Sequence, residues 1–137
     1  MKAINITLLF DGQTEAAFNF YKSVFGGEFA HVQRMKDMAG APSMSAEEGE
    51  KILHLAFPIG SAVLMGMDAP TGRMVLNQGN NFMVTLDTSS EEETTNLFNG
   101  LAEGGTVTMP LAHQFWGAFF GMVNDKFGIQ WMLSYVK

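Results

Sequence analysis

The chain has 137 residues, 47% of them hydrophobic and 16% charged, which fits one globular domain with a real core and excludes a disordered segment. A net charge of −6, with only eight scattered Lys and Arg, argues against nucleic acid and anionic membrane as partners, and no apolar run reaches the length of a membrane span. Cysteine is absent, so disulfides, thiol nucleophiles and sulfur-ligated zinc are excluded, and a cytoplasmic location is the expectation.

Residues 1–5 run into a strand pattern with no signal-peptide core. Residues 3–10 read as a strand, with Ile4, Ile6, Leu8 and Phe10 on one apolar face and Ala3, Asn5, Thr7 and Leu9 on the other. Asp11-Gly12 breaks it. A helix over residues 13–25 follows, with Ala17, Phe20, Tyr21, Val24 and Phe25 at helical spacing, and Gly26-Gly27 stops it. Three strands are expected next, over residues 28–35, 51–57 and 61–67. The last two are joined by a tight turn at Gly60-Ser61, and residues 37–50 form a mobile loop rich in Gly, Pro, Ser and Glu.

The order then recurs. Residues 81–87 read as a strand with Phe82, Val84 and Leu86 on one face. Ser90 and Glu93 have the spacing of a capping box, Thr94, Leu97, Phe98 and Leu101 continue a helix over residues 90–103, and Gly104-Gly105 ends it. Strands are expected over residues 106–111, 115–123 and 129–136, with Asp125-Lys126-Phe127-Gly128 as the last turn. The expected fold class is therefore α+β: two tandem β-α-β-β-β modules, residues 1–68 and 81–137, joined by a linker over residues 69–80. Packed side by side they would form a curved mixed sheet with the helices outside and a cleft on its inner face. Eleven methionines suit either loose core packing or an adaptable cavity wall.

Six motifs in order along the chain carry a resemblance. They are Phe10-Asp11-Gly12, Glu15-Ala16, Phe20-Tyr21-Lys22-Ser23-Val24-Phe25-Gly26-Gly27-Glu28, Leu64-Met65-Gly66-Met67-Asp68, Gln114-Phe115-Trp116-Gly117 and Asp125-Lys126-Phe127-Gly128-Ile129-Gln130-Trp131. With the doubled module, the chain resembles the vicinal oxygen chelate superfamily, also called the glyoxalase/bleomycin resistance/dioxygenase superfamily. Within it the chain resembles the PhnB-like branch, which carries a 3-demethylubiquinone-9 3-methyltransferase-like label. No Gly-rich strand-to-helix turn of a Rossmann unit is present to support S-adenosylmethionine binding.

The resemblance implies a divalent metal held between the modules. It places Asn5 where a first-strand His is usual, Asn81 at the matching point of module two, His54 as the later ligand of module one, and Trp131 where a C-terminal Glu is expected. Strand alternation puts Asn5 and Thr7, Asn81 and Met83, and Ile52, His54 and Ala56 on the cleft side, opposite the apolar faces. One imidazole and two neutral amides make a poor set for zinc, nickel or ferrous iron, so the expectation is no cofactor. Asn5, His54, Asn81, Gln114, Trp116 and Trp131 are the candidate ligand-binding residues, and His54 is the one candidate catalytic or metal-binding group. His31 and His113 read as ordinary, Glu47, Glu48 and Glu50 as a solvated loop face, Tyr21 as core and Asp125 as a turn former.

Three functions compete at this level. One is a metal-independent binding protein for a small, partly apolar ligand. Another is a lyase, isomerase or dioxygenase using an atypical metal or His54 as a base. The third is a bleomycin-resistance-like protein that sequesters a drug. Proteins that resemble this one commonly pair, so a homodimer is expected, and Phe115, Trp116, Phe119 and Phe120 form a candidate contact or cleft wall.

Overall fold

The structure is a computed structural model that describes residues 1–38, 40, 43–70, 72 and 74–137. The chain divides into two units, residues 1–77 and 78–137, and each has its own sheet. No described helix is long and apolar enough to cross a membrane.

In unit 1 the order is β1 (Ile6–Phe10), α1 (Thr14–Phe25), β2 (His31–Arg34), a 3-10 turn (Met35–Asp37), α2 (Ala46–Glu50), β3 (Ile52–Ile59) and β4 (Ala62–Asp68). The sheet order is β1-β4-β3-β2, with β1 parallel to β4 and the other pairs antiparallel. Unit 2 repeats it. There β5 (Val84–Asp87), α3 (Glu91–Ala102), β6 (Thr106–His113), β7 (Ala118–Asn124) and β8 (Gln130–Val136) give the order β5-β8-β7-β6, with β5 parallel to β8. The expected β-α-β-β-β order is present in both units.

Each helix covers one sheet face by the same device. In α1 the buried residues include Thr14, Phe18 and Tyr21; in α3 they are Thr94, Phe98 and Leu101, at the same spacing. A Cβ added at Gly66 of β4 would stand 2.3 Å from the Phe18 ring, and one at Gly121 of β7 would stand 2.8 Å from the Phe98 ring. Each aromatic ring is thus seated in a space only glycine leaves. These glycines lie in matching rows: Leu8, Gly66 and Leu55 are neighbours across unit 1, and Leu86, Leu133 and Gly121 across unit 2.

A buried carboxylate ties each unit together. Asp68, 1% exposed, ends β4. Its Oδ1 accepts from Thr14 N at 3.1 Å and Thr14 Oγ1 at 2.7 Å, and its Oδ2 accepts from Ile52 N at 2.7 Å. The first amide of α1 is therefore capped from 54 residues away, and the preceding Gln13 makes no side-chain cap. In unit 2, Asp125 Oδ1 accepts from Phe127 N at 2.8 Å and Ile129 N at 3.1 Å, while Oδ2 accepts the indole Nε1–H of Trp131 at 2.9 Å. Asp125 forms its turn, as expected, and also anchors the buried Trp131. The capping Ser90 Oγ accepts from Glu93 N at 3.0 Å, and the Glu93 carboxylate reaches Ser89 N rather than Ser90 N.

Several expectations are corrected. The first strand begins at Ile6, so Ile4 is 82% exposed and Ile6 42%, and the apolar face is carried by Leu8 and Phe10 alone. The matching strand of unit 2 begins at Val84, leaving Phe82 54% exposed instead of facing the helix. Ile52 does not share a face with His54. Pairing steps from Gln33↔His54 to Arg34↔Ile52, so Leu53 is bulged out and Ile52 turns to the buried side with Leu55 and Phe57. The loop expected over residues 37–50 contains α2, capped by Ser45 Oγ accepting from Glu48 N at 3.1 Å; residues 39, 41 and 42 lie outside the described residues. Finally, β7 begins at Ala118, because Gln114-Phe115-Trp116-Gly117 is a hairpin turn.

Replacing Asp68 by Ala strands the amides of Thr14 and Ile52 in the core, and we expect a loss of about 3 kcal/mol. Urea denaturation checks this through a lower midpoint at unchanged slope; a midpoint within error of wild type would refute the anchoring role.

Candidate functional site

With one face of each sheet closed by its helix, the opposite face is where exposed side chains gather. Residues paired across neighbouring strands point the same way, so register gives the composition of that face. In unit 1 one row reads Thr7, Met65, Ala56 and His31 across β1, β4, β3 and β2. In unit 2 the corresponding row reads Thr85, Met132, Met122 and Met109 across β5, β8, β7 and β6. The three methionines are half-buried, and Thr85 Oγ1 lies 3.9 Å from Met132 Sδ. The next row of unit 2 is Asp87, Ser134, Phe120 and Ala112.

The β6–β7 hairpin adds aromatic surface beside these rows. Gln114 N donates to Ala118 O at 2.8 Å, Gly117 N donates to Gln114 O at 3.0 Å, and Gly117 has φ +95°. That is a three-residue loop closed by a left-handed glycine, and it places Phe115 and Trp116 at the tip. Phe115 is 97% exposed and Trp116 52%. Their rings meet edge to face at 5.1 Å, and Trp116 meets Phe120 edge to face at 5.6 Å. Gln114 Nε2 donates to Ala112 O at 3.3 Å. Gln114 and Trp116, separate candidates in the sequence, belong to one turn.

The other candidates divide as follows. Asn5 is exposed, one residue ahead of β1, and Asn81 is exposed, three residues ahead of β5. His54 is half-buried in β3, opposite Gln33. Its ring lies 5.3 Å from that of His31, tilted by 48°, a neighbour the sequence reading did not identify. Strand alternation puts His31 with Gln33 on one face of β2 and His54 with Ala56 on one face of β3, but only the β2–β3 register brings the two rings together. Trp131 is fully buried and its indole N–H is given to Asp125, so its side chain offers no ligand where the resemblance places a carboxylate. With neutral amides at 5 and 81, these residues do not fit the superfamily's divalent metal. Among the described residues no three His, Cys, Asp or Glu side chains gather into a metal-binding group.

Charged groups cluster elsewhere in unit 1. The guanidinium of Arg34 donates to both carboxylate oxygens of Glu15 and, at 2.9 Å, to Glu50 O. The hydrogen bond from Arg34 holds the Glu15 carboxyl below the usual carboxylate range, and the same bond raises the Arg34 pKa. Lys51 is raised in turn by its bond to Glu48, 3.0 Å away. The Glu50 carboxylate pairs with Arg34 and Lys36, so Glu48 and Glu50 are paired rather than merely solvated. In unit 2, His113 Nε2 stands 3.2 Å from Glu91 and its ring stacks near Phe119 at 4.9 Å, on the helix side.

Comparison with known proteins follows from this geometry. The family model described as 3-demethylubiquinone-9 3-methyltransferase matches residues 2–134. The chain is 30% identical to Protein YjdN of Escherichia coli (strain K12), over 95% of this chain and 92% of that protein. It resembles the crystal structure of protein PA1353 from Pseudomonas aeruginosa, with 33% identity, 98% of each chain covered and a TM-score of 0.78. It also resembles the PhnB protein from Bacillus cereus, with 27% identity, 98% and 100% covered and a TM-score of 0.76.

The two tryptophans give a direct check on this arrangement. Acrylamide should quench Trp116 emission and leave that of Trp131 largely untouched, so Trp116→Phe should remove most of the quenchable fluorescence. Equal quenching of the variant and the parent would show that Trp131 is not enclosed.

Proposed function

The chain belongs to the PhnB-like family described by the 3-demethylubiquinone-9 3-methyltransferase model, within the glyoxalase/bleomycin resistance/dioxygenase superfamily, and we propose that it binds a small, partly apolar ligand without a catalytic metal. The observation that carries this reading is the helix-free face of unit 2. Three half-buried methionines cross that sheet beside Phe120 and the half-exposed Trp116. Methionine adapts its shape to what it meets, and an indole offers a broad flat contact at low entropic cost. Gln114 is the polar candidate closest along the chain to Trp116. Asn81, Asn5 and His54 are the further polar candidates, and Trp131 stays in this proposal only as support behind the face.

The methyltransferase description is not adopted. A nucleoside-bearing methyl donor is commonly held at a Gly-rich strand-to-helix turn with free helix amides. Here the turn into α1 is closed by Asp68, and that into α3 by Ser90 and Glu93. A cytoplasmic location is part of the proposal, supported by the absence of cysteine.

Nile red, a neutral and partly apolar aromatic probe, should bind saturably with enhanced fluorescence. Met122→Glu should weaken it about tenfold by placing a charge in the middle of the row. Undiminished binding in that variant would place the ligand surface elsewhere.

The proposal includes a homodimer. Residues 112–122 contain no Asp, Glu, Lys or Arg, so the aromatic hairpin is where two copies of a chain of charge −6 can meet without repulsion. Sedimentation velocity at micromolar concentration should show a dimer, and Phe115→Glu should shift it to monomer. A wild-type chain that sediments only as monomer would remove this part of the reading.

A further inference from the structure

On the helix-free face of unit 1, His31 stands where unit 2 has Met109, Ala56 where it has Met122, and His54 where it has Phe120. His31 is the last member of the row Thr7, Met65, Ala56, His31, and His54 is its diagonal neighbour on the adjacent strand. Both are reachable from solvent, His31 exposed and His54 half-buried. We propose that His31 and His54, with the thioether of Met65, form a binding site for a soft monovalent metal ion of the copper(I) class.

Three observations carry the proposal. The first is the ring separation. A metal–nitrogen bond of about 2.0–2.1 Å puts an imidazole centroid about 3.2 Å from the metal, and a tetrahedral angle then sets two centroids about 5.2 Å apart. The rings of His31 and His54 are 5.3 Å apart. A linear two-coordinate ion would need about 6.4 Å on the same arithmetic, so the spacing suits a bent site that takes further ligands.

The second observation supplies the further ligand. His31 and Met65 flank Ala56 on neighbouring strands of the same face. A methyl group is the whole side chain between them, so the long side chains on either side can converge above it. Strands about 4.8 Å apart put the two backbones roughly 9.6 Å apart, within the combined reach of an imidazole and a thioether. The third observation is chemical. Imidazole accepts several metals, but a thioether is a soft donor that selects copper(I) over the harder divalent ions. The chain has no thiolate to compete for that ion.

This site shares His54 with the positions at which the resemblance implies the superfamily's divalent centre, and adds His31 and Met65, which are not among the positions 5, 54, 81 and 131. It does not rest on the ligand-binding reading, whose probe reports on unit 2.

The test uses the full-length chain without a histidine tag and silver(I), a redox-inert ion with the charge and closed d shell of copper(I). Silver nitrate titrated in chloride-free buffer should bind with 1:1 stoichiometry by calorimetry. NMR should show the His31 and His54 ring signals and the Met65 methyl moving together. His31→Ala and His54→Ala should each weaken binding tenfold or more, Met65→Leu should weaken it several-fold, and His113→Ala should leave it unchanged. Circular dichroism of each variant controls for folding, and the exposed His31 makes His31→Ala the decisive one. The proposal fails if silver does not bind saturably, if it shifts only Met109, Met122 and Met132, if His31→Ala binds as tightly as the parent, or if zinc binds as tightly as silver.

Discussion

The architecture of each unit depends on a phenylalanine seated on a glycine. Phe18 lies over Gly66 and Phe98 over Gly121, each at a distance that even a methyl group would violate. This contact brings the helix down onto the sheet so closely that Leu8, Leu55 and Tyr21, or Leu133, Val123 and Leu101, are sealed from water. The close seating on one face decides where chemistry can occur, because it leaves only the other face open to a second molecule. The glycines occupy different strands in the two units but the same row, so the constraint is one of position in the sheet and not of position in the chain.

Much of this was legible in the sequence. Helical spacing of Phe20, Tyr21 and Val24, or of Leu97, Phe98 and Leu101, marked the helices, and paired glycines marked their ends. The doubled order gave the fold class. What escaped was decided by partners rather than by local pattern. Residues 3–5 alternate like a strand, but pairing with β4 begins at Ile6, so they are not held. Alternation along residues 51–57 is regular, but the slip opposite Gln33 and Arg34 reverses the facing of Ile52. Phe115 and Trp116 look like strand residues by composition, and only the left-handed Gly117 turns them into a hairpin tip. The approach of the His31 and His54 rings needed the β2–β3 register, which no single segment contains.

A related asymmetry concerns the motifs that identify the family. Gly66, Asp68, Asp125 and Trp131 all belong to them, and all are engaged in holding the fold: a seat for a ring, a cap for a helix, a turn and a core indole. Of the large apolar residues in those motifs, Phe115 and Trp116 are the exposed ones. Membership of the family is therefore a statement about scaffold. The helix-free rows, Thr-Met-Ala-His in one unit and Thr-Met-Met-Met in the other, are where the two copies of that scaffold have been given different chemistry.

The two buried carboxylates bear on the order in which the units can form. Asp125 gathers donors two, four and six residues away, whereas Asp68 must find partners 16 and 54 residues away. The chain freedom lost in closing a loop grows with the logarithm of its length, and between 6 and 54 residues the difference is about 2 kcal/mol. The knot in unit 2 can close early, within a single hairpin, and carry Trp131 into place with it. The knot in unit 1 can close only after α1 and β4 have met, so capping of that helix is a late event that reports completion of its sheet.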